Sequence, residues 1–436
     1  MGGNARYINR VTGKDLGFAE KIDLNKIDRS TLVQEITETL RSINKLHTAN
    51  TQTPLWKEFG IITEGVGLNG SSKFLFDSTI DNNTFKTYKP FLGDIDVTFP
   101  SNLMESLWNL LNTLEGTKLS ETITYLGHKN SAIDPLKAKN LNQINAVFKL
   151  KTDLYESNIQ IDFEASEYVD NKPTEWTSFS HNSEWEDIKE GLKGVMHKYM
   201  LINLSRANSV LKNIAVVTKS QESKLTSKTS KEYMEIVLGN QTKQIAKMST
   251  NRDYINPTNL AFSVDRGVRT KFTPLQHSDG RAVILDGITI MKFVKPEDAN
   301  YITDLKEVFQ HIFNTMPDNQ DMIDFRSFVG VIKLMKKYVD NNTIETFFID
   351  HLINKSLFAP YAQGLERNDP DGDKKIKMTM IDKLIESFPQ LDKFKDQIDT
   401  QMNNYYKSYK MYDLNESSKP QKLSAIFESI NNTDNK

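Results

Sequence analysis

The chain has 436 residues, of which 38% are hydrophobic, and 55 Lys and Arg against 57 Asp and Glu give a formal net charge of −2. This length and apolar content are sufficient for two or three domains with hydrophobic cores. The absence of cysteine excludes disulfides, cysteine-ligated zinc and a thiol nucleophile, and the near-neutral charge gives no overall attraction to nucleic acid.

The N-terminal part contains no targeting pattern and one predicted helix. Residues 1–28 lack the apolar region of a secretory signal, and no apolar run in the chain approaches the length of a membrane span. We therefore expect a cytosolic protein without a membrane partner. The periodicity predicts an amphipathic scaffold helix over Thr31–Leu46, with Thr31 and Gln34 spaced as a capping box.

A small-residue turn, Leu68-Asn69-Gly70-Ser71-Ser72, lies between two apolar stretches. Glycine lets backbone N–H groups approach an anion, and the serines add hydroxyl donors, so the turn is predicted to hold phosphate. Gly65 and Gly70 also have the Gly-x-x-x-x-Gly spacing of a P-loop. A P-loop requires lysine directly after the second glycine, where Ser71 stands, and this interpretation is rejected.

Three aspartates lie on the polar side of two predicted strands. Asp94 and Asp96 alternate with apolar residues over positions 93–99, and Asp162 does so over 159–164, which is the period-two pattern of half-buried strands. If the strands are neighbours, the three carboxylates converge and repel one another unless they hold divalent cations. The alternative is an ordinary solvated strand end rich in aspartate.

The segment between these strands is predicted to alternate helix and strand. Ser101 is a candidate N-cap for a helix that ends at Gly116, and strands are predicted at 122–126 and 144–150. The second of these can pair antiparallel with the strand of Asp162 across a polar loop. The third aspartate is therefore expected inside a mixed sheet.

The order of these elements resembles the DNA polymerase beta-like nucleotidyltransferase superfamily: a Gly-Ser turn, an Asp-x-Asp strand and a later strand with a single Asp. The resemblance covers about residues 55–205. It implies two Mg²⁺ or Mn²⁺ ions, with Asp94 and Asp96 binding both and Asp162 completing the ion beside the attacking hydroxyl. It also implies that three residues of the turn contact the phosphates of a nucleoside triphosphate such as ATP: Gly70, Ser71 and Ser72.

One spacing departs from this family. The stretch from Lys73 to Gly93 is about twice as long as the family usually has between the turn and the Asp pair. Residues 77–91 are rich in Asn, Thr, Lys and Tyr, and we interpret them as an inserted loop or hairpin.

A single long helix is predicted from Trp185 to about Arg206, with Ser183 and Glu186 as a capping box. On this helix Lys189, Lys193 and His197 recur every fourth residue and form a basic stripe. Such a stripe is also the ordinary pattern of a solvated face. The segment His197-Lys198-Tyr199 is similar to the helix opening the second domain of archaeal-type tRNA nucleotidyltransferases. The chain is also similar to uncharacterised nucleotidyltransferase-like proteins of large tailed phages. This resemblance implies that three basic residues reach the triphosphate: Lys193, His197 and Lys198. For His181, in the preceding Ser-His turn, a helix-capping or core position is the alternative.

A basic, β-rich region is predicted after a Ser, Thr and Lys-rich linker at 219–232. Hairpins are expected at 233–248 and 282–291, and residues 219–275 carry ten Lys and Arg against five Asp and Glu, a net charge of 10 − 5 = +5. Three basic residues beside Phe262 and Phe272 are candidates for binding a nucleic-acid backbone: Arg266, Arg269 and Lys271. The alternative is a basic β surface over two core phenylalanines.

The remainder, 296–436, is predicted to form a helical bundle with helices at 301–313, 322–338, 343–357 and about 378–412. Residues 369–373 imitate the opening of a calcium loop, but the glycine falls two positions early and Met380 stands where the glutamate should be. We interpret them as a solvated acidic turn. The polar tail from Glu416 is expected to fray.

Together these patterns predict an α+β protein, with a nucleotidyltransferase-type mixed sheet and flanking helices, then a β-rich domain and a C-terminal helical bundle. The predicted regions are 1–54 (N-terminal helical segment), 55–182 (catalytic core), 183–232 (helix and linker), 233–295 (basic β domain) and 296–436 (C-terminal helices).

The expected function is transfer of a nucleoside monophosphate to a hydroxyl acceptor with release of pyrophosphate, in the host cytoplasm if the chain is phage-encoded. The acceptor is expected to be tRNA or another nucleic acid. The alternatives are a catalytically silent protein of this fold that binds nucleic acid or a protein, and a toxin-like enzyme that modifies tRNA or a host protein. The sequence does not indicate the oligomeric state.

Overall fold

The computed structural model describes residues 6–8, 15–55, 67–130, 143–169, 172–180, 183–209, 211, 214–217, 258–263, 266–277, 279–285, 287–359, 362, 365 and 370–413. The chain forms two compact units, Met1–Thr343 and Ile344–Lys436, and the division falls inside the region predicted as C-terminal helices. Within the described residues, no helix is both long and apolar enough to span a membrane.

A four-stranded mixed sheet with the order β5-β8-β7-β6 is the centre of the first unit. Its strands are β5 (Ile95–Pro100), β6 (Ile123–Asn130), β7 (Gln143–Lys151) and β8 (Glu156–Ser166). β5 and β8 are parallel, whereas the β8–β7 and β7–β6 pairs are antiparallel. The mixed sheet predicted from the alternation is therefore confirmed, with β8 between β5 and β7.

Helices cover the apolar face of this sheet. α1 (Arg29–Thr51) and α3 (Met104–Thr113) contribute leucines and isoleucines to the same core as the inward side chains of β5 and β8. α1 begins two residues earlier than predicted, because the Asp28 side chain accepts the N–H of Ser30 and caps the helix there. A 3₁₀ turn, Ser101–Leu103, precedes α3, so Ser101 is not its N-cap.

The segment predicted as an inserted loop or hairpin is helical instead. A 3₁₀ turn, Ser72–Leu75, is followed by α2 (Asn82–Tyr88), whose N-cap Asp81 accepts the N–H groups of Asn83 and Thr84. The Phe85 side chain is buried and stacks on Trp185 at 5.6 Å between ring centroids. The longer spacing therefore contains a packed helix that belongs to the core.

Short strands border the main sheet. They are β1 (Arg6–Ile8), β2 (Asp15–Phe18), β3 (Ile22–Asp23), β4 (Phe91–Leu92), β9 (Tyr168–Val169) and β10 (Lys172–Pro173). They pair antiparallel as β1–β2, β3–β4 and β10–β9. The backbone of residue 20 contacts β8, because the N–H of Glu20 donates to the carbonyl of Asn158 at 2.7 Å.

The long helix predicted from Trp185 to Arg206 is two helices. After α4 (Glu175–Ser180), α5 (Trp185–Lys189) ends before Gly191, which has a left-handed φ of +73°, and α6 (Gly194–Asn208) begins after Lys193. The predicted capping box of Ser183 and Glu186 is wrong, since Glu184 is the N-cap of α5 and no side chain caps it.

Residues of the predicted β region, together with one strand from the region predicted as helix and linker, form two small sheets in the first unit. The strands are β11 (Ile214–Val217), β12 (Leu260–Ser263), β13 (Gly267–Thr270), β14 (Phe272–Pro274), β15 (Ile284–Leu285) and β16 (Ile288–Phe293). β15 and β16 form the predicted second hairpin, and β11 pairs parallel with β16. The predicted linker at 219–232 and first hairpin at 233–248 lie outside the described residues.

The C-terminal part is helical, as predicted, with breaks that the periodicity does not show. The helices are α7 (Leu305–Phe313), α8 (Asn319–Asp324), α9 (Phe328–Tyr338), α10 (Asn341–Glu345), a π-helix (Thr346–Leu357), α11 (Pro370–Ser387), a 3₁₀ helix (Pro389–Phe394) and α12 (Lys395–Asp413). The first unit ends within α10.

The acidic segment at 369–373 is not a solvated turn over its described part. Pro370 begins α11, and the side chain of Asp373 is fully buried in the second unit. Its carboxylate lies 3.0 Å from the ammonium of Lys377 and accepts the hydroxyl of Tyr406 at 2.7 Å. The buried carboxylate of Asp373 is therefore paired with a cation one helical turn away.

Candidate metal centre

The parallel β5–β8 pair brings the three predicted aspartates together. Asp96 lies directly opposite Asp162 in the register, and Asp94 lies just before β5, two residues from Asp96. One carboxylate oxygen from each of the three residues lies within 4.8 Å of the other two. Three carboxylate oxygens at this separation could hold a metal ion. The adjacency on which the metal prediction depends is present.

The electrostatics of the cluster favour a positive ligand. Burial, followed by the charge of Asp94, raises the pKa of Asp162 to about 8, against amide hydrogen bonds that lower it. The same causes, with Glu164 and Asp162 as further negative neighbours, raise the pKa of Asp96 well above its usual range. Adjacent carboxylates in a desolvated site must share protons or hold a cation.

Three amide side chains hold the carboxylate of Asp162, which is only 3% exposed. Asn145 and Gln160 each donate to its Oδ1 at 2.7 Å, and Gln143 donates to its Oδ2 at 3.1 Å. These donors come from β7 and from β8 itself, so they fix the orientation of the third aspartate from two strands. The Oδ2 atom, with one amide donor, keeps more acceptor capacity than Oδ1.

The small-residue turn is joined to β5 by its backbone. The N–H of Asn69 donates to the carbonyl of Asp96 at 3.0 Å, and the N–H of Thr98 donates to the carbonyl of Gly67 at 2.8 Å. Gly70 has a left-handed φ of +55°, and a Cβ atom there would lie 2.7 Å from Oδ2 of Asp96. Glycine is therefore required at position 70 for two reasons: the backbone is left-handed, and a side chain would clash with the Asp96 carboxylate.

We expect Gly70→Ala to weaken Mn²⁺ binding by about tenfold or more, because the new methyl group pushes the Asp96 carboxylate out of the cluster. The left-handed backbone alone should cost about 1 kcal/mol of stability. Isothermal titration with Mn²⁺ and thermal unfolding measure the two effects separately.

Gly116→Ala is the matched control, because Gly116 also has a left-handed φ, of +76°, but no atom lies within 4 Å of its added Cβ. It should lose similar stability and keep its Mn²⁺ affinity. Equal Mn²⁺ affinities in the two variants would refute the role of the Gly70 contact.

The two serines of the turn occupy different environments. Ser72 is fully buried, and its hydroxyl donates to the carbonyl of Asp94 at 3.3 Å and accepts the N–H of Asp96 at 3.1 Å. This hydroxyl holds the turn to β5, so its predicted phosphate contact does not fit its position. Ser71 is partly exposed at the start of the 3₁₀ turn. Gly70 and Ser71 remain the predicted phosphate-binding part of the turn.

The three basic residues predicted to reach the triphosphate lie in different environments. Lys193 precedes α6 at the break, and its N–H donates to Sδ of Met196 at 3.5 Å. His197 is 2% exposed, and its Nε2 lies 2.9 Å from the carbonyl oxygen of Phe325. His197 is thus a core histidine, against the phosphate-binding prediction. Lys198 is partly exposed on α6. His181 lies outside the described residues.

We expect the buried His197 to make the protein sensitive to acid. Burial lowers its pKa from 6.5 to about 4. A group whose folded pKa is depressed contributes stability above its unfolded pKa and loses it as pH falls toward the folded value. The loss between pH 7 and pH 4 should be about 3 kcal/mol.

Urea unfolding at pH 7, 5.5 and 4 measures this loss. His197→Gln, which keeps an N–H donor for Phe325, should show a smaller decrease than wild type over this range. His311→Gln, at a side chain that is 40% exposed on α7, is the control and should behave as wild type. Identical pH dependence in all three proteins would contradict the assignment.

The basic residues predicted to contact nucleic acid also differ in burial and in hydrogen-bond partners. Arg269 is 8% exposed, and its guanidinium donates to the carbonyl of Val294 at 3.0 Å, so it is a structural residue. Lys271 donates to the hydroxyl of Thr258 at 3.2 Å. Arg266 is exposed, with its guanidinium carbon 5.9 Å from the ring centroid of Tyr301. Burial of Arg269 favours the alternative, a basic β surface over a core.

Several residues that build the site were not predicted. They are Arg29, Gln143, Asn145, Gln160 and Glu164, and the bond from the Asn69 side chain to Glu164 was not predicted either. The polar alternation of β7 and β8 is the signal that identifies the amides, because residues two apart share a strand face with the aspartates. Arg29 has no such signal, because its partners are backbone carbonyls of residues 74–80.

The chain matches no protein-family model, no curated protein and no solved structure.

Proposed function

We propose that the protein is a metal-dependent nucleotidyltransferase, which moves a nucleoside monophosphate from a nucleoside triphosphate to a hydroxyl acceptor and releases pyrophosphate. The observation that carries this proposal is the pairing of Asp96 with Asp162 across parallel strands, with Asp94 in the same cluster and the Gly70 backbone against it. A cluster of carboxylates next to a small-residue turn combines a cation site with an anion site. This combination suits a metal-bound triphosphate.

The donor set fits Mg²⁺ or Mn²⁺. Asp94, Asp96 and Asp162 offer only carboxylate oxygens, and burial, followed by the neighbouring acidic groups, raises the pKa values of Asp96 and Asp162. Asp94 and Asp96 would hold both ions, and Asp162 would hold the one beside the acceptor. When bound, two such ions lower the pKa of an attacking hydroxyl and stabilise the leaving oxygen.

Gly70, Ser71 and Asp162 would orient the phosphates and accept the proton of the acceptor. The backbone of Gly70 and the exposed part of Ser71 would orient the phosphates. The Oδ2 atom of Asp162, with a single amide donor, would attract the proton of the acceptor hydroxyl. The acceptor O–H bond breaks, a bond forms from that oxygen to the α-phosphorus, and the bond from the α-phosphorus to the β-bridging oxygen breaks. Pyrophosphate carries away that electron pair.

The acceptor is proposed to be a nucleic acid, with tRNA as the first candidate. The β strands at 260–293 give limited support, because Arg269 is engaged inside the fold and Arg266 remains exposed. The alternative of a catalytically silent binding protein gains no specific support from these strands. The complete aspartate triad favours the enzyme.

Release of pyrophosphate tests the proposal. Each of the four ribonucleoside and four deoxyribonucleoside triphosphates is supplied with Mg²⁺ or Mn²⁺, together with pooled tRNA or single-stranded oligonucleotides, and transfer of α-labelled nucleotide is followed on gels. Metal-dependent labelling of an acceptor with equal pyrophosphate release supports the proposal. A folded protein that binds no nucleotide and labels no acceptor under any condition would overturn it.

A further inference from the structure

Asn69 connects the small-residue turn to both strands of the metal centre. Its backbone N–H donates to the carbonyl of Asp96 on β5, and its side-chain Nδ2 donates to Oε2 of Glu164 on β8 at 2.9 Å. The residue is 6% exposed, so both bonds are shielded from water. The turn's other hydrogen bonds described above reach only β5 and Asp94 just before it: Gly67 accepts the N–H of Thr98, and Ser72 accepts the N–H of Asp96 and donates to the carbonyl of Asp94.

Glu164 is placed to receive this contact and to act on the cluster through its charge. It lies two residues after Asp162 on the same face of β8, and it stands opposite Thr98 on β5 and Gln143 on β7. Its negative charge is among the causes that raise the pKa values of Asp96 and Asp162. The compact oxygen cluster consists of Asp94, Asp96 and Asp162, which leaves Glu164 beside it.

We propose that the Asn69–Glu164 hydrogen bond is a positioning contact that sets the phosphate-binding turn relative to the strand carrying Asp162. The inference rests on the proposed function. Asp94 and Asp96 move with the turn, because the turn is bonded to β5, whereas Asp162 belongs to a different strand. The β5–β8 pairing sets Asp96 opposite Asp162, and the bond from the turn to β8 adds a direct restraint on the distance between the phosphates and the third aspartate. Glu164 acts through Asn69 and does not itself bind the metal.

The geometry suggests a test that reverses donor and acceptor. Asn69→Asp alone sets two carboxylates against each other, and Glu164→Gln alone keeps an acceptor oxygen for Asn69 while removing the charge. In the double variant N69D/E164Q, the new glutamine donates to the new aspartate, and the total charge of the pair returns to −1. A positioning contact should therefore be lost in the first variant and recovered in the double variant.

Affinity is measured by isothermal titration with Mn²⁺ alone, and then with each of the four α,β-methylene nucleoside triphosphate analogues in the presence of Mn²⁺. Hydrogen bonds to charged groups are worth about 1.5–3 kcal/mol, which corresponds to about 10- to 100-fold in affinity. N69D should weaken binding of the analogue that wild type prefers by at least about tenfold, N69D/E164Q should recover most of it, and E164Q should stay within about threefold of wild type. Asn69→Ala should leave the affinity for Mn²⁺ alone within about twofold of wild type.

The outcomes separate this inference from the proposed function. If the double variant does not recover the affinity of N69D, or if E164Q weakens binding of Mn²⁺ alone as much as Asp96→Asn, the positioning role is wrong and Glu164 has another one. If wild type binds neither Mn²⁺ nor any analogue, the proposed function fails and the inference fails with it. Thermal unfolding of every variant shows whether a loss of affinity reflects a loss of fold, and E164Q and N69D/E164Q preserve the size of both side chains.

Discussion

Asp96→Asn is expected to abolish nucleotidyl transfer and, in metal-free buffer, to raise the midpoint of thermal unfolding. Transfer should fall by at least about 10³-fold, since loss of several kcal/mol of charge stabilisation lowers the rate tenfold for about every 1.4 kcal/mol. The stability gain follows from electrostatics. The pKa of Asp96 is raised by burial and by its acidic neighbours, so burying this carboxyl costs stability at every pH above its unfolded pKa, and asparagine removes that cost.

Two measurements check this pair of effects: pyrophosphate release with the best substrate pair, and calorimetry at pH 8 with EDTA or with Mn²⁺. Mn²⁺ should stabilise wild type and should have little effect on Asp96→Asn. Asp153→Asn, at an exposed aspartate in the turn between β7 and β8, makes the same chemical change away from the cluster and should match wild type throughout. Retained turnover in Asp96→Asn would remove the basis of the proposed mechanism.

Arg29→Met is expected to destabilise the first unit by about 4 kcal/mol or more. The Arg29 guanidinium is buried, and it donates to the carbonyls of residues 74, 75, 77 and 80 at 2.5 to 2.8 Å. Methionine has a similar length but no donors, so these carbonyls lose their partner in a buried site. Each orphaned carbonyl costs about 1–3 kcal/mol, and partial relaxation reduces the sum.

Urea unfolding of wild type and Arg29→Met measures this loss. Arg41→Met is the matched control, because Arg41 lies on the same helix with a side chain that is 44% exposed, and it should change stability by less than about 1 kcal/mol. Because the carbonyls bonded by Arg29 directly follow the turn, Arg29→Met should also weaken Mn²⁺-nucleotide binding under conditions where it remains folded. A stability equal to that of Arg41→Met would show that the carbonyls find other partners.

The aspartate cluster was predictable because its signal is local. The alternation around Asp94, Asp96 and Asp162 gives the strand and the face of each residue from a few neighbours. That β5 and β8 are adjacent and parallel is not contained in either segment. Their adjacency was only a condition of the metal prediction, and their parallel direction was not predicted; the structure has the two strands side by side and parallel.

The wrong predictions concern residues whose contacts are distant in the sequence. The break between α5 and α6 includes Gly191, yet Asp187 just before it accepts the N–H groups of Phe328 and Val329, which are 141 and 142 residues away. Likewise, the side chain of Arg269 points to a carbonyl 25 positions later. Periodicity describes which face is apolar, but it does not show where a partner backbone will lie.

The position of β8 in the sheet also sets when the site can exist. Asp96 and Asp162 are 162 − 96 = 66 positions apart in the sequence. In the sheet, β8 lies between β5 and the β6–β7 pair, so β5 is joined to that pair only through β8. At about 5–20 residues per second, a ribosome needs roughly 3–13 s to add those positions. Until then Asp94 and Asp96 belong to a strand without its partner. Affinity for a divalent cation should therefore appear in one step during synthesis, when the last strand of the sheet enters its place.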